Sequence, residues 1–245
     1  MKLVGVRMKN VFFSEVIDQL NTIANPNEGM ALLDRIRAAY GLKNVVYFAA
    51  RIPELTAREP YLAVTYDDAW VQHYKKNDYV SIDPVLSAGL QRMLPTDWST
   101  FDKTSGPLKT FFGEAQEFGV GRQGMTMPIR GVNGEAAMLS ITSEETDREW
   151  IRLRTHYMRD FQLIANVVHE MILRVERVSE VIPRLTKREI ECLKWASEGK
   201  TYEEIAIILG IRRGTVQSYM EFSRLKLNAV NTTHSVTRAL RLRLI

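Results

Sequence analysis

LTKREIECLKWASEGKTYEEIAIILGIRRGTVQSYMEFSRLKL, residues 185–227, punctuates itself into three helices. Thr186 stands three residues before Glu189, and Thr201 three before Glu204. Each pair matches the reciprocal capping box, which satisfies two orphan backbone donors at a helix start. Leu185 and Ile190 sit where a hydrophobic staple would bracket the first cap, and Gly199 falls where a left-handed C-terminal stop is wanted. The pattern predicts one helix over about Lys187–Glu198 and a second over about Tyr202–Leu209, its apolar face of Ile205, Ala206, Ile208 and Leu209 ended by Gly210. Ile211 then returns to the core. A third helix opens at Arg212-Arg213-Gly214-Thr215-Val216, with Val216, Met220 and Leu227 facing inward.

This is helix-turn-helix spacing, in which the second helix of the pair enters a DNA major groove and the first crosses the backbone. The same pattern also fits an ordinary three-helix bundle with a solvated charged face, and charge bears on the choice. From Arg184 to Ile245 there are 12 Lys and Arg against 6 Asp and Glu, a net of +6, whereas the other 183 residues carry 21 against 23, a net of −2. A basic terminal module on a nearly neutral body is the footprint of polyanion binding, because neutralising phosphates releases counterions. Arg213, Gln217, Arg224 and Lys226 are the candidate DNA contacts, Arg212 adds phosphate-directed charge, and Thr201 and Thr215 offer hydroxyls near helix starts. Gln217 can pair bidentately with adenine or bond a phosphate; Arg224 and Lys226 read as phosphate clamps.

The body needs another partner. With 245 residues and 45% hydrophobic composition, the chain is long enough for a large and a small domain. No apolar run approaches the ~20 residues that span a bilayer, and Met1–Asn10 lacks the apolar core of a secretory signal, so a cytoplasmic location without membrane contact is expected. The single cysteine, Cys192, excludes an internal disulfide and a cysteine-based metal site. His73, His156, His169 and His234 have no ligand spacing, so no metal or cofactor is assigned.

Trp150, Leu153, Tyr157, Phe161, Ile164, Val168, Ile172 and Val175 recur at steps of three and four, one long amphipathic helix that closes a first domain over residues 1–176. Its apolar stripe could serve core packing or a dimer contact. Residues 177–184, with Pro183, read as a linker, and 185–245 as the second domain. Before the long helix, helical and strand patterns mix without strict alternation, which predicts an α+β domain. Val11–Ile23 and Gly29–Tyr40 read as helices, Asn44–Ala50 and Tyr61–Tyr66 as strands, and Asp67, Asp83-Pro84 and Leu108 mark three further helices. Gly124–Arg130 and Ala136–Thr142 form a hairpin around Asn133-Gly134, giving an antiparallel sheet with helices on both faces.

Tyr66, Trp70 and Tyr74 follow one another at helical-turn spacing, and Asp83 and Trp98 come from later segments. Together they can line an apolar pocket with an indole N–H, a phenol and one carboxylate, suited to a small neutral ligand with carbonyl acceptors and an amide donor. Each taken singly also fits a core aromatic or, for Asp83 before Pro84, a plain helix cap.

The order Trp70-x3-Tyr74-x8-Asp83-Pro84, then Trp98, then Gly124-Met125-Thr126-Met127-Pro128, then the helix-turn-helix with Glu189, Leu193 and Gly199, resembles the LuxR-type quorum-sensing transcription factors. The resemblance spans nearly the whole chain. It implies an N-terminal αβα sandwich binding an N-acyl-homoserine lactone, a C-terminal four-helix DNA-binding module, and a homodimer on inverted-repeat promoter sites. Activation, with RNA polymerase as a further partner, is the expectation; the alternatives are a repressor released by ligand and a regulator of the same architecture that responds to a different small neutral ligand. The resemblance further implies that Trp70 donates to the lactone carbonyl, that Asp83 accepts the amide N–H, that Tyr66 bonds the acyl carbonyl and that Ser140 joins this cluster. Tyr74 and Trp98 would pack on the ring or chain.

The chain departs from that family in places. Arg212 replaces the usual capping residue of the recognition helix, Tyr219 a common histidine, and Arg243 a glycine near the C-terminus. Val85 replaces a threonine found in some members, which makes the pocket more apolar. No Gly-x-Ser-x-Gly elbow points to a hydrolase, and the N-terminal half lacks the βα rhythm of a phosphoreceiver.

Overall fold

In the computed structural model, residues 13–52, 55–56, 59–131, 134–176 and 183–245 are described. The chain divides into two units, the first ending at Val178 and the second containing the four C-terminal helices.

The first unit is built on an antiparallel sheet of five strands: β1 (Asn44–Arg51), β2 (Tyr61–Val64), β3 (Thr96–Asp97), β4 (Gln123–Arg130) and β5 (Ala136–Ser143), in the order β2-β1-β5-β4-β3. The β4–β5 hairpin stands as expected; its turn residues 132 and 133 lie outside the described residues. β2 is shorter than expected because at Thr65 the side-chain hydroxyl, in place of the backbone carbonyl, accepts from Val45 N, although the Thr65 N–H still donates to Val45 O. β3 was not foreseen: two residues carry no periodicity, and they are recruited as an edge by pairing with Met125 and Thr126 of β4.

Side chains alternate across a strand, and the alternation produces two cores. Val45, Tyr47 and Ala49 of β1, Met125, Met127 and Ile129 of β4 and Leu139 and Ile141 of β5 pack with three helices. These are α1 (13–22), α2 (Pro26–Tyr40) and the 29-residue α6 (Asp147–Val175). α2 begins three residues before the expected Gly29, because Asn25 caps it and Pro26 opens it, and Gly41 stops it in the left-handed region at φ 66°. The start of the Val11–Ile23 expectation lies outside the described residues. The apolar stripe of α6 is largely spent here: Trp150, Tyr157, Phe161, Ile164, Val168 and Ile172 are all buried.

The opposite sheet face is covered by α3 (Asp68–Lys76), α4 (Pro84–Gln91) and α5 (Gly106–Glu117). Asp67 caps α3 through Ala69 N at 2.8 Å and Asp83 caps α4 through Val85 N at 2.7 Å. The architecture is thus a sandwich of helix, sheet and helix, the α+β class expected.

The second unit contains α7 (Lys187–Ser197), α8 (Tyr202–Leu209), α9 (Arg213–Lys226) and α10 (Thr232–Arg241) around Cys192, Leu193, Ile205, Val216, Met220, Leu227 and Ala239. Both capping boxes form, and Gly199 and Gly210 take positive φ of 78° and 64° at the two stops. Arg243 takes φ 53° just past α10, the conformation that a glycine would accept without steric cost. No described helix is long and apolar enough to cross a membrane.

Candidate signal pocket and DNA-reading helix

Between the sheet and α3–α5 lies a cavity of about 500 Å³, and Tyr66, Trp70, Tyr74, Asp83, Trp98 and Ser140 all line it. The rest of its wall is mainly apolar, with Val46 and Phe48 of β1, Leu62 and Val64 of β2, Val85 of α4 and Phe111 of α5 among its members.

Asp83 is the one carboxylate among the six. Its Oδ1 accepts from Val85 N as the cap of α4, and its Oδ2 accepts from the Tyr74 hydroxyl at 2.9 Å. Tyr74 therefore does more than pack: it ties α3 to the head of α4. Burial pushes the Asp83 carboxyl up to about 6, against the opposing pull of Tyr74 and the backbone donors of Val85 and Leu86. Burial, then the Asp83 charge, raises the phenols of Tyr66 and Tyr74 well above their ordinary range, so both are protonated donors at neutral pH.

Trp70 is 4% exposed and sits in an aromatic nest of His73, Tyr74, Tyr79, Phe111 and Phe118. Among the described residues neither Trp70 Nε1 nor Tyr66 Oη has a hydrogen-bond partner, while both side chains line the cavity. The pocket thus offers two free donors and a carboxylate in apolar surroundings, where an unmet polar group is costly.

Sequence reasoning left out four residues that brace this site. His73 stacks on Trp70 with ring centroids 6.0 Å apart, and its Nε2 lies 2.5 Å from Glu114 Oε2, to which Tyr79 also donates. These contacts join α3 to α5 across a gap of 41 residues, too far for local spacing to reveal. Thr126 is the fourth: Trp98 Nε1 donates to its Oγ1, so Trp98 carries a polar role besides packing. Gly124 is where that tryptophan sits, since a Cβ there would come within 2.3 Å of the indole.

In the second unit, Arg212, Arg213 and Gln217 are exposed on the first turns of α9 and Thr215 is half-buried beside them. Arg212 makes no side-chain cap, as its chemistry foretold. Arg213 pairs with Glu203 of α8, a contact between two exposed side chains that solvent weakens. Thr201 is engaged in its capping box, its hydroxyl donating to Glu204 Oε2 at 2.9 Å.

Two expected phosphate clamps have other duties. Lys226 Nζ lies 2.8 Å from both oxygens of Glu189, which is buried at the start of α7 and requires a counter-charge. Arg224 donates twice to Glu221 and once to Ala229 O, holding the end of α9. Neither is the unencumbered cation expected from the sequence.

Residues 25–172 match the autoinducer binding domain, and residues 183–239 match the luxR family of bacterial regulatory proteins. The chain belongs to the LuxR family. Among its relatives are the transcriptional activator protein RaiR of Rhizobium etli, 39% identical over 183 residues that cover 74% of this chain and 76% of that one. AhyR of Aeromonas hydrophila, also a transcriptional activator protein, is 30% identical over 235 residues, 91% and 89% of the two chains. The fold is also that of SdiA from Escherichia coli, with a TM-score of 0.66 at 23% identity, covering 96% of this chain and 98% of that one. This LuxR-family chain is therefore a transcriptional regulator of quorum-sensing type, with an autoinducer-binding part and a DNA-binding helix-turn-helix.

Proposed function

We propose that the chain binds an N-acyl- or N-aroyl-homoserine lactone in the cavity of the first unit and, as a cytoplasmic homodimer, activates transcription from inverted-repeat promoter sites. Residues 1–176 hold the signal, 177–184 join the two parts and 185–245 read the DNA. The protein performs no chemistry on its ligand; its relatives are regulators.

The observation that carries the ligand class is the free Tyr66 hydroxyl and Trp70 N–H in the same apolar cavity as Asp83. An acyl-homoserine lactone matches this set with two carbonyl acceptors and one amide donor. Trp70 takes the lactone carbonyl, Tyr66 the acyl carbonyl and Asp83 the amide N–H, with Ser140 in the same cluster; the acyl or aroyl group lies on the apolar wall. A ligand without the amide would leave Asp83 facing nothing that can donate, which the site disfavours.

Activation is supported by the names of RaiR and AhyR, and RNA polymerase is the partner through which it would act. DNA contact falls to the open start of α9, namely Arg212, Arg213, Thr215 and Gln217, with Thr201 at the head of α8; Arg224 and Lys226 stand at the far end, each already paired with a carboxylate. Extraction of the purified protein with organic solvent, followed by mass spectrometry and by gel shift of promoter fragments, tests the proposal. A co-purified lactone and lactone-dependent retardation are expected; absence of both from protein made beside a lactone-producing strain would contradict it.

A further inference from the structure

Three side chains on the cavity face of the sheet form one chain of hydrogen bonds. Trp98 Nε1 donates to Thr126 Oγ1 at 2.9 Å, and Thr126 Oγ1 lies 2.8 Å from Ser140 Oγ. Strand register assembles them: Thr126 of β4 stands opposite Ser140 of β5 on one side and Thr96 of β3 on the other, and Trp98 follows Thr96 by two residues. None of the three is more than 5% exposed.

The direction of the chain follows from donor chemistry. An indole N–H can only donate, whereas a hydroxyl has one hydrogen and two lone pairs. Thr126 therefore accepts from Trp98 and has its own hydrogen to place. The acceptor it reaches among the described residues is Ser140 Oγ. Were Ser140 to donate to Thr126 instead, the Thr126 hydrogen would be left buried without an acceptor, and Thr126 is fully buried and does not line the cavity. Ser140 does line it, so the hydrogen left at the end of the chain belongs to Ser140 and has the cavity to go to.

We infer that Trp98 and Thr126 are positioning residues that fix Ser140 as a hydrogen-bond donor to the ligand, so that this wall selects a signal bearing an acceptor oxygen and rejects one bearing a donor there. The inference rests on the reading of the cavity as the signal site. It assigns a reason to Gly124 as well: without a side chain at 124 the indole can lie against β4 and reach Thr126.

The test uses the full chain and N-octanoyl-homoserine lactone as the probe, with calorimetry on wild type, Thr126→Val, Thr126→Ser, Ser140→Ala and the double variant Thr126→Val/Ser140→Ala. Thr126→Val is expected to weaken binding about tenfold, Thr126→Ser to restore it to near wild type, and the double variant to bind no worse than Ser140→Ala, because coupled residues are non-additive. Wild-type affinity in Thr126→Val, or losses that multiply in the double variant, would overturn the inference. If wild type gives no heat with this probe or with an aroyl lactone tried beside it, the lactone reading is at fault. The wire is then judged in the free protein by exchange of the Trp98 indole N–H. Slow exchange in wild type and Thr126→Ser but fast exchange in Thr126→Val supports it, and equal exchange in all three overturns it.

Discussion

The Tyr74 hydroxyl donates to Asp83 Oδ2 at 2.9 Å, so the carboxylate that caps α4 is also held from α3. One residue thereby serves the fold and the site at once. Its Oδ1 stabilises the helix start through Val85 N, and the cavity beside it is where an amide N–H would meet the charge.

Separating those two duties gives a first prediction. Asn is as good a helix cap as Asp, so Asp83→Asn keeps α4 while removing the charge that an amide N–H seeks. We expect lactone affinity to fall about tenfold or more, given the roughly 1.5–3 kcal/mol worth of a charged hydrogen bond, with the melting temperature of the free protein at neutral pH raised rather than lowered, because the buried charge is gone. Calorimetry beside a thermal melt checks it; unchanged affinity would remove Asp83 from the ligand's recognition.

Because burial raises the Asp83 carboxyl to about 6, lactone affinity should depend on pH. The amide prefers the ionised form, so affinity is full above that value and falls as pH drops through it, by up to about tenfold per pH unit. For the free protein the sign is opposite. A folded-state pKa above the unfolded one gives a stabilising contribution that is present below about 4 and lost as pH rises through about 6. Titrations at pH 7.5 and 5.0 would show weaker binding at the lower pH, and Asp83→Asn would abolish the difference.

At the other end of the chain, Lys226 neutralises the buried Glu189. Lys226→Ala should lower the stability of the helical module by about 1–3 kcal/mol, less than a fully buried pair costs because Lys226 itself is 38% exposed. Its DNA affinity should then fall in step with the unfolded fraction. Arg213→Ala instead should weaken binding to every sequence and flatten the salt dependence without moving the melt, and Gln217→Ala should alter discrimination between sequences. Gel shifts across a salt series beside melting curves distinguish the three.

Arg243 sits at φ 53°, where a side chain costs about 1–2 kcal/mol. Arg243→Gly should therefore stabilise the module by up to about 1 kcal/mol, after the greater freedom glycine has when unfolded is subtracted. A lower melting temperature would show that the arginine side chain compensates for its backbone.

What the sequence made legible was what local chemistry controls. The capping boxes at Thr186 and Thr201 and the stops at Gly199 and Gly210 lie within a few residues of the groups they satisfy. The cavity residues were legible for a different reason: Trp70, Tyr74 and Asp83 form a spacing that resembles a family, although their contacts could not be read. What stayed hidden joins distant strands or helices. Trp98 and Thr126 meet only through a two-residue strand, and Lys226 reaches Glu189 across 37 residues. A cationic side chain looks available in a sequence until the buried carboxylate that claims it is placed.

In the proposed function, one chain couples a lactone in the first unit's cavity to DNA reading by α9. This coupling is tested most directly by titrating N-octanoyl-homoserine lactone into the full-length protein while following retardation of an inverted-repeat promoter fragment, with Asp83→Asn alongside. Retardation is expected to rise with lactone in wild type, and Asp83→Asn to need about tenfold more or greater to reach the same level. Retardation indifferent to lactone, or an identical titration in the variant, would contradict it.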